Sequence, residues 1–269
     1  MTDAELRTVA MQWRSSGWPA AVVEVVAARG SVPRDVGTRM LVSLHDVLGT
    51  IGGGHLELQA IRTARELVLS GGPAQESQVA LGPALGQCCG GVVGLRWSLL
   101  AEMDPAAWPA PAARFSLQLY GAGHVGRAIA RLLADIPCQV QWIDQREDEF
   151  PPGPLPLHIE RVCTEPVQAE VASAAPGAFY LVLTHSHELD MNISRAILQR
   201  GDFGFFGLIG SQTKRARFEH RLAERGVDAA TLARMVCPIG LPGISGKEPE
   251  VIAVAVVAQL LLQVGDARL

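Results

Sequence analysis

The sequence predicts an α/β protein in which a C-terminal parallel sheet with helices on both faces is preceded by a smaller α+β domain. Three observations carry this expectation. Apolar Leu117-Gln-Leu-Tyr120 runs into Gly121-x-Gly123-x-x-Gly126, and Arg127 to Ala134 continues with apolar residues at helical spacing. A second apolar strand, Gln139 to Ile143, ends in Asp144, about 20 residues beyond the first glycine. Strand and helix patterns then alternate, which calls for right-handed crossovers and parallel pairing. Strand, tight turn and helix make the C-terminal half Rossmann-like. Gly121 permits the turn, Gly123 lets backbone N–H groups approach an anion, and Gly126 lets the helix pack on the strand. Asp144 is then placed to accept the hydroxyls of a ribose.

A chain of 269 residues has room for two domains, and a 48% apolar composition supplies a core for each. The boundaries read as 1–103 for the N-terminal α+β domain, 104–113 for a proline- and alanine-rich linker, and 114–269 for the Rossmann-like domain. A net charge of −4 argues against nucleic acid as the main partner. Met1-Thr-Asp-Ala-Glu5 lacks a charged region leading into an apolar run. The longest apolar run, Val251 to Leu262, is interrupted by Gln259 and falls short of the roughly 20 residues a membrane span needs. A cytoplasmic protein without a membrane segment is the expectation. The five cysteines are odd in number and lack metal-finger spacing, so neither a disulfide framework nor a structural zinc site is indicated.

In chain order, Ala4 to Ser15 reads as an amphipathic helix with Leu6, Val9, Ala10 and Trp13 on one face. Strands are expected at Ala20 to Ala27, Arg39 to Val42 and Val47 to Ile51. Between the first two lies a polar loop holding Arg29, Arg34 and Arg39. Gly52-Gly53-Gly54 opens a helix reaching Leu69, a place where backbone donors can meet an anion. After Gln78 to Leu81 comes Leu85-Gly-Gln-Cys88-Cys89-Gly-Gly91, then a strand from Val92 to Leu100. Packing does not require adjacent cysteines flanked by glycine, and the glycines leave room for a bulky ligand beside a thiolate. Cys138, Cys163 and Cys237 read as structural. In the second half, a strand is expected at Leu157 to Glu160, a helix near Pro166 to Ala174, and a strand from Ala178 to Leu183 that leads into Thr184-His185-Ser-His187. A helix then runs to Gln199, a strand from Phe203 to Ile209, and a basic helix from Gln212 to Arg225 capped by Ser211. A final helix has Pro249 in its first turn. The loops at Gly121 to Gly126, Thr184 to His187, Gly210-Ser211 and Pro238 to Glu248 should line one crevice at the carboxyl ends of the strands.

Taken together, these motifs resemble the XdhC/CoxI accessory proteins of xanthine dehydrogenase and related molybdenum hydroxylases. The resemblance rests on Gly30-Ser-Val-Pro-Arg34, Gly37-Thr38, Gly49-Thr-Ile-Gly-Gly-Gly54 with Leu56-Glu57, Cys89-Gly-Gly91, Gly121-Ala-Gly-His124-Val125, Asp144-Gln-Arg146, Thr184-His185, His187 and Asp190. It continues through Gly207-Leu-Ile-Gly-Ser211, Lys214, Pro238-Ile-Gly-Leu241, Pro249 and Ile252-Ala253, nearly the full chain in order. It implies a dimeric maturation factor rather than an enzyme. Such a factor binds molybdenum cofactor (a pyranopterin dithiolene), assists exchange of an oxo for a sulfido ligand with a cysteine desulfurase as sulfur source, and inserts the cofactor into an apo xanthine dehydrogenase-type hydroxylase. On this resemblance Cys89 is the soft metal ligand, with Cys88 as its alternative or sulfur shuttle. The cofactor's phosphate suits Arg34, Arg39 and the glycine turns. Ser186 stands where an acidic residue is more usual, which turns His185 and His187 toward hydrogen bonding rather than metal ligation. The alternative is an NAD(P)-dependent oxidoreductase built on the glycine turn and Asp144, with His185 or Lys214 moving the proton.

Overall fold

The computed structural model describes residues 1–81, 90–109 and 112–266. The chain divides into two units, Met1–Pro111 and Ala112–Leu269. In the first, α1 (Asp3–Ser15) starts at a capping box in which Thr2 and Glu5 satisfy each other's backbone N–H. An antiparallel sheet follows: β1 (Ala20–Arg29), β2 (Arg39–Ser43), β3 (Val47–Gly49), β4 (Gln75–Ala80) and β5 (Val92–Leu99), in the order β3-β2-β1-β5-β4. The helix α2 (Gly54–Ser70) runs between β3 and β4 and ends at Gly71 in the left-handed conformation. Alternation along the strands sends Val23, Met40 and Val42 against Leu56, Ala60 and Leu67 of α2, and Val22 and Leu41 against Leu6 and Ala10 of α1.

The stretch expected to be a linker is partly fixed to this first unit. Pro105–Ala107 forms a 3-10 turn, Arg7 donates to the Pro105 and Ala106 carbonyls, and the buried Trp108 joins the core beneath α1. Large aromatic surface outweighs the flexibility that flanking prolines and alanines suggest.

The second unit holds a six-stranded sheet in the order β11-β10-β9-β6-β7-β8, every pairing parallel. Its strands are β6 (Ser116–Tyr120), β7 (Gln139–Asp144), β8 (Ile159–Cys163), β9 (Phe179–Val182), β10 (Phe205–Leu208) and β11 (Met235–Val236). Helices α3 (His124–Leu133) and α7 (Pro249–Asp266) cover one face, where Leu119 and Leu181 meet Ile129, Val256 and Leu260. Helices α4 (His187–Arg200), α5 (Gln212–Ala223) and the short α6 (Ala229–Ala233) cover the other, where Tyr180 and Phe206 meet Ile193, Ile197 and Phe218. This is the doubly wound order, with its switch point between β6 and β9. No helix of the described residues is long and apolar enough to cross a membrane.

Three local expectations need correction. The third strand starts at Ile159 rather than Leu157, because Ile159 N–H closes a turn onto the Pro156 carbonyl and leaves Leu157 exposed. The segment Val167–Ser173 is a 3-10 helix, not an α-helix. Its carbonyls are bonded elsewhere: Gln118 Nε2 takes that of Glu170 at 2.7 Å, and Arg200 takes those of Val171 and Ala174 at 2.6 and 2.7 Å. Cys138 and Cys237 are buried, as a structural role requires, whereas Cys163 is exposed at the end of the edge strand β8.

Candidate functional site

In the second unit the Gly121 turn and the loops at Thr184 and Gly210-Ser211 lie together, whereas Pro238 to Gly246 lines a separate pocket with Gln212, Arg215 and Ala255. Gly121, at φ +117°, sits so close to the loop after β9 that a Cβ would lie 2.4 Å from the Leu183 carbonyl oxygen. Gly126 is equally constrained, since its Cβ would lie 2.0 Å from the Gly121 oxygen. Both glycines are therefore demanded by close approach, whereas Gly123, the N-cap of α3, faces open space. Beside it His124 is exposed. The next loop is tied down by Asp190 of α4, which is buried. Its Oδ1 accepts from the Thr184 N–H at 3.1 Å and the Thr184 hydroxyl at 2.7 Å, and its Oδ2 lies 2.6 Å from Lys214 Nζ. Lys214 also donates to the Ile209 carbonyl at 2.8 Å, passing over Gly210, where a Cβ would clash with its stem at 2.5 Å. Ser211 caps α5 by accepting from Lys214 N–H. Thr184, Asp190, Lys214 and Ser211 thus form one braced wall, and the Lys214 charge is neutralised within it. His185 and His187 are exposed on the rim. Among the described residues no group of three His, Cys, Asp or Glu side chains could hold a metal ion.

Asp144 occupies the position of a ribose acceptor, but its carboxylate is already filled. Oδ2 accepts from the Ala122 N–H at 2.7 Å and Arg146 Nη2 at 3.0 Å, and Oδ1 accepts from Arg146 N–H and Nε, both at 3.0 Å. Burial opposes ionisation here, yet the hydrogen bonds from Arg146 and Ala122 together with the Arg146 charge outweigh it and hold the carboxyl below its ordinary pKa. Arg146 reaches on to Glu149 at 3.0 Å, and Glu149 binds Arg127, whose Nε also takes the Ala122 carbonyl at 2.9 Å. This closed circuit of two arginines and two carboxylates lies against the glycine turn. A ribose diol would have to displace Arg146 to reach Asp144. Sequence reasoning missed Arg127 and Glu149, which carry no motif; only their proximity to Asp144 and Ala122 in space reveals them.

The first unit gathers a second set of motifs. Gly52 packs on Pro33, with a Cβ falling 2.5 Å from the proline ring, and the stem of the exposed Arg34 lies alongside. Gly91 is wedged between two carbonyls of the same loop, its Cβ position 2.5 Å from the oxygens of Arg29 and Ser31. The Leu81 N–H donates to the Gly91 carbonyl at 2.8 Å. Leu81 and Gly91, on either side of the sequence stretch that holds Cys88 and Cys89, are therefore bonded to each other, and Gly91 lies beside the Gly30-to-Arg34 loop. Cys88 and Cys89 themselves lie outside the described residues.

Two residues expected at the cofactor site, Glu57 and Arg39, are engaged inside the protein. Glu57 accepts from the Thr50 hydroxyl and from the N–H groups of Ile51 and Gly53 at 3.0 and 3.1 Å, so it holds the Gly52-Gly53-Gly54 turn and consumes donors an anion would use. Arg39 pairs with its cross-strand neighbour Glu24 and lies over the Trp108 ring, on the sheet face that α1 covers. Arg34 is left as the exposed cation at the Gly52 turn.

Residues 117–260 match the XdhC Rossmann domain, and residues 13–79 match the XdhC and CoxI family. The chain belongs to the XdhC/CoxI family. One relative, an uncharacterized protein of Escherichia coli K12 called YqeB, is 29% identical over an alignment covering 94% of this chain and 45% of YqeB. The chain thus spans less than half the length of that relative. In fold it is similar to a Bacillus halodurans protein described as a xanthine dehydrogenase, with a TM-score of 0.73 at 18% identity, over 99% of this chain and 96% of that one. The XdhC domain boundaries bracket the braced wall and the Asp144 circuit, and the XdhC/CoxI match covers the Gly30, Arg34 and Gly52 motifs.

Proposed function

We propose that this XdhC/CoxI chain is a maturation factor for a xanthine dehydrogenase-type molybdenum hydroxylase. It takes up the molybdenum cofactor, a pyranopterin dithiolene, as cargo, holds it while a cysteine desulfurase supplies the sulfur of the terminal sulfido ligand, and passes it to the apo-hydroxylase as a homodimer in the cytoplasm. The observation that carries this reading is the position of Gly91, two residues after Cys89: it accepts from the Leu81 N–H and packs against the Arg29 and Ser31 carbonyls, at the start of the loop that holds Arg34. A thiolate supplied by Cys88 or Cys89 together with the exposed Arg34 guanidinium would suit a ligand with a soft metal centre at one end and a phosphate at the other. Cys89, with Cys88 beside it, is the thiolate side of this reading, and Arg34 the phosphate side.

The filled carboxylate of Asp144 counts against the oxidoreductase alternative, because a nicotinamide dinucleotide would lose the ribose acceptor that this fold ordinarily supplies. The test is anaerobic loading with free cofactor, removal of excess, and paired assays for molybdenum and for the oxidised fluorescent pterin. Retention of both by the parent chain, lost in Cys89→Ala or Cys88→Ala without loss of fold, is the expected result. Equal retention by the Cys88→Ala/Cys89→Ala double variant removes the cysteines from the mechanism. No retention by the parent overturns the reading.

A further inference from the structure

Helix α5 pairs part of its charge along its own surface: Arg215 with Glu219 at 2.7 Å and His220 with Glu224 at 3.3 Å, both at the i, i+4 spacing that lets side chains meet. Along a separate line Arg217, Arg221 and, just past the C-cap, Arg225 repeat every fourth residue and are exposed. None of the three guanidinium groups has a hydrogen-bond or ion-pair partner among the described residues. They line a groove of about 590 Å³ against the start of α4, where His187, Asn192 and Thr213 add polar walls. Neither the crevice at the carboxyl ends of the strands nor the Gly30-to-Arg34 loop uses these arginines.

We propose that this groove between α4 and α5 docks an acidic segment of a partner protein, presenting about one carboxylate per helical turn. Eight residues of helix span about 12 Å, so the three guanidiniums form a line rather than a point. A phosphate clamp brings its donors to within hydrogen-bond reach of one group. A line of charges at helical pitch instead matches Asp or Glu side chains repeated along a peptide. The amide of Asn192 and the hydroxyls of Thr213 and Ser211 supply hydrogen-bonding groups for a peptide of mixed polarity, whose uncharged residues would face Glu188 on the groove wall. Charge balance agrees: three unpaired guanidiniums lie in one line of a chain whose net charge is −4, a local positive field suited to steering an acidic partner. The docking does not depend on the cofactor reading, since it needs only the charge pattern.

The experiment titrates the full chain with a fluorescent helical peptide bearing Glu at every fourth position, and in parallel with inorganic triphosphate as a compact polyanion. The parent chain is expected to bind the peptide saturably, with affinity falling as salt rises, and the Arg217→Glu/Arg221→Glu/Arg225→Glu variant at least about tenfold more weakly. A control of equal charge change, Arg62→Glu/Arg114→Glu/Arg131→Glu, placed away from the groove, keeps parental affinity. Folding of each variant is checked by its unfolding midpoint, and the milder Arg221→Ala serves if the triple variant does not fold. Absence of peptide binding, equal loss in the control variant, or displacement of the peptide by triphosphate at matched charge would overturn the proposal.

Discussion

Arg146 closes over Asp144 with two guanidinium nitrogens at 3.0 Å, while the Ala122 N–H enters from the glycine turn at 2.7 Å. The acid that ends β7 thereby fastens the turn that follows β6. Replacing Arg146 by Ala leaves a buried carboxylate with half its donors, a loss of about 2 kcal/mol. The sign with pH is defined. A carboxyl whose folded pKa lies below its unfolded value contributes stability that is full above the unfolded value, about 3.9, and is lost as pH falls through the folded one. Removing Arg146 raises the folded pKa, so the variant and the parent should differ most at pH 7, and the gap should shrink as pH falls below about 3.9 and through the folded value. Urea melts across that range read this directly, and a gap that stays constant with pH would show that the lock is not electrostatic.

The Lys214–Asp190 pair makes the second prediction. Both side chains are largely withdrawn from water, with 11% and 2% of their surface exposed, and the remaining oxygen of Asp190 is held by Thr184. Lys214→Met strands a buried charge and should cost about 3–5 kcal/mol, whereas adding Asp190→Asn should recover much of it. A double-mutant cycle by chemical unfolding measures the coupling. Additive losses would mean that the two residues brace the wall separately.

The strand, turn and helix at Leu117 to Leu133 were legible because the reasons for Gly121 and Gly126 are local: each is a backbone crossing that admits no Cβ. The doubly wound order followed from alternation of strand and helix. What escaped was pairing across the sheet. Arg39 reads as a phosphate ligand until the register sets Glu24 opposite it. Asp144 reads as a ribose acceptor until Arg146, two residues on, turns back toward it. The strand Met235–Val236 and helix α6 are too short to show a period, so the sixth strand could be found only in space.

Neighbouring glycines in the first unit should behave oppositely. A Cβ at Gly91 meets the Arg29 and Ser31 oxygens at 2.5 Å, while one at Gly90 meets nothing within 4 Å. Gly91→Ala is therefore expected to lower stability by about 1–3 kcal/mol and to reduce cofactor retention, because it pushes the end of the cysteine-bearing segment off its loop. Gly90→Ala should leave stability at the parental value. Thermal unfolding of both variants, with pterin retention measured alongside, separates the two sites, and identical behaviour would remove the close approach as the cause.

The two tyrosines of the chain give the last prediction, since they face the same side of adjacent strands with opposite hydrogen-bond fates. Tyr120 is buried and donates from its hydroxyl to Gln118 Oε1 at 2.7 Å, while Gln118 Nε2 donates to Gln141 and to the Glu170 carbonyl. Tyr180 is equally buried, but its hydroxyl has no partner among the described residues. Tyr120→Phe removes a donor from a satisfied network and leaves a buried amide oxygen unpaired, for a cost of about 1–3 kcal/mol. Tyr180→Phe removes a hydroxyl that was desolvated without return, so it should be neutral or stabilising by up to about 1 kcal/mol. Urea unfolding of the two single variants decides the matter by sign. A loss at Tyr180 equal to that at Tyr120 would mean that the Tyr180 hydroxyl is bonded in solution.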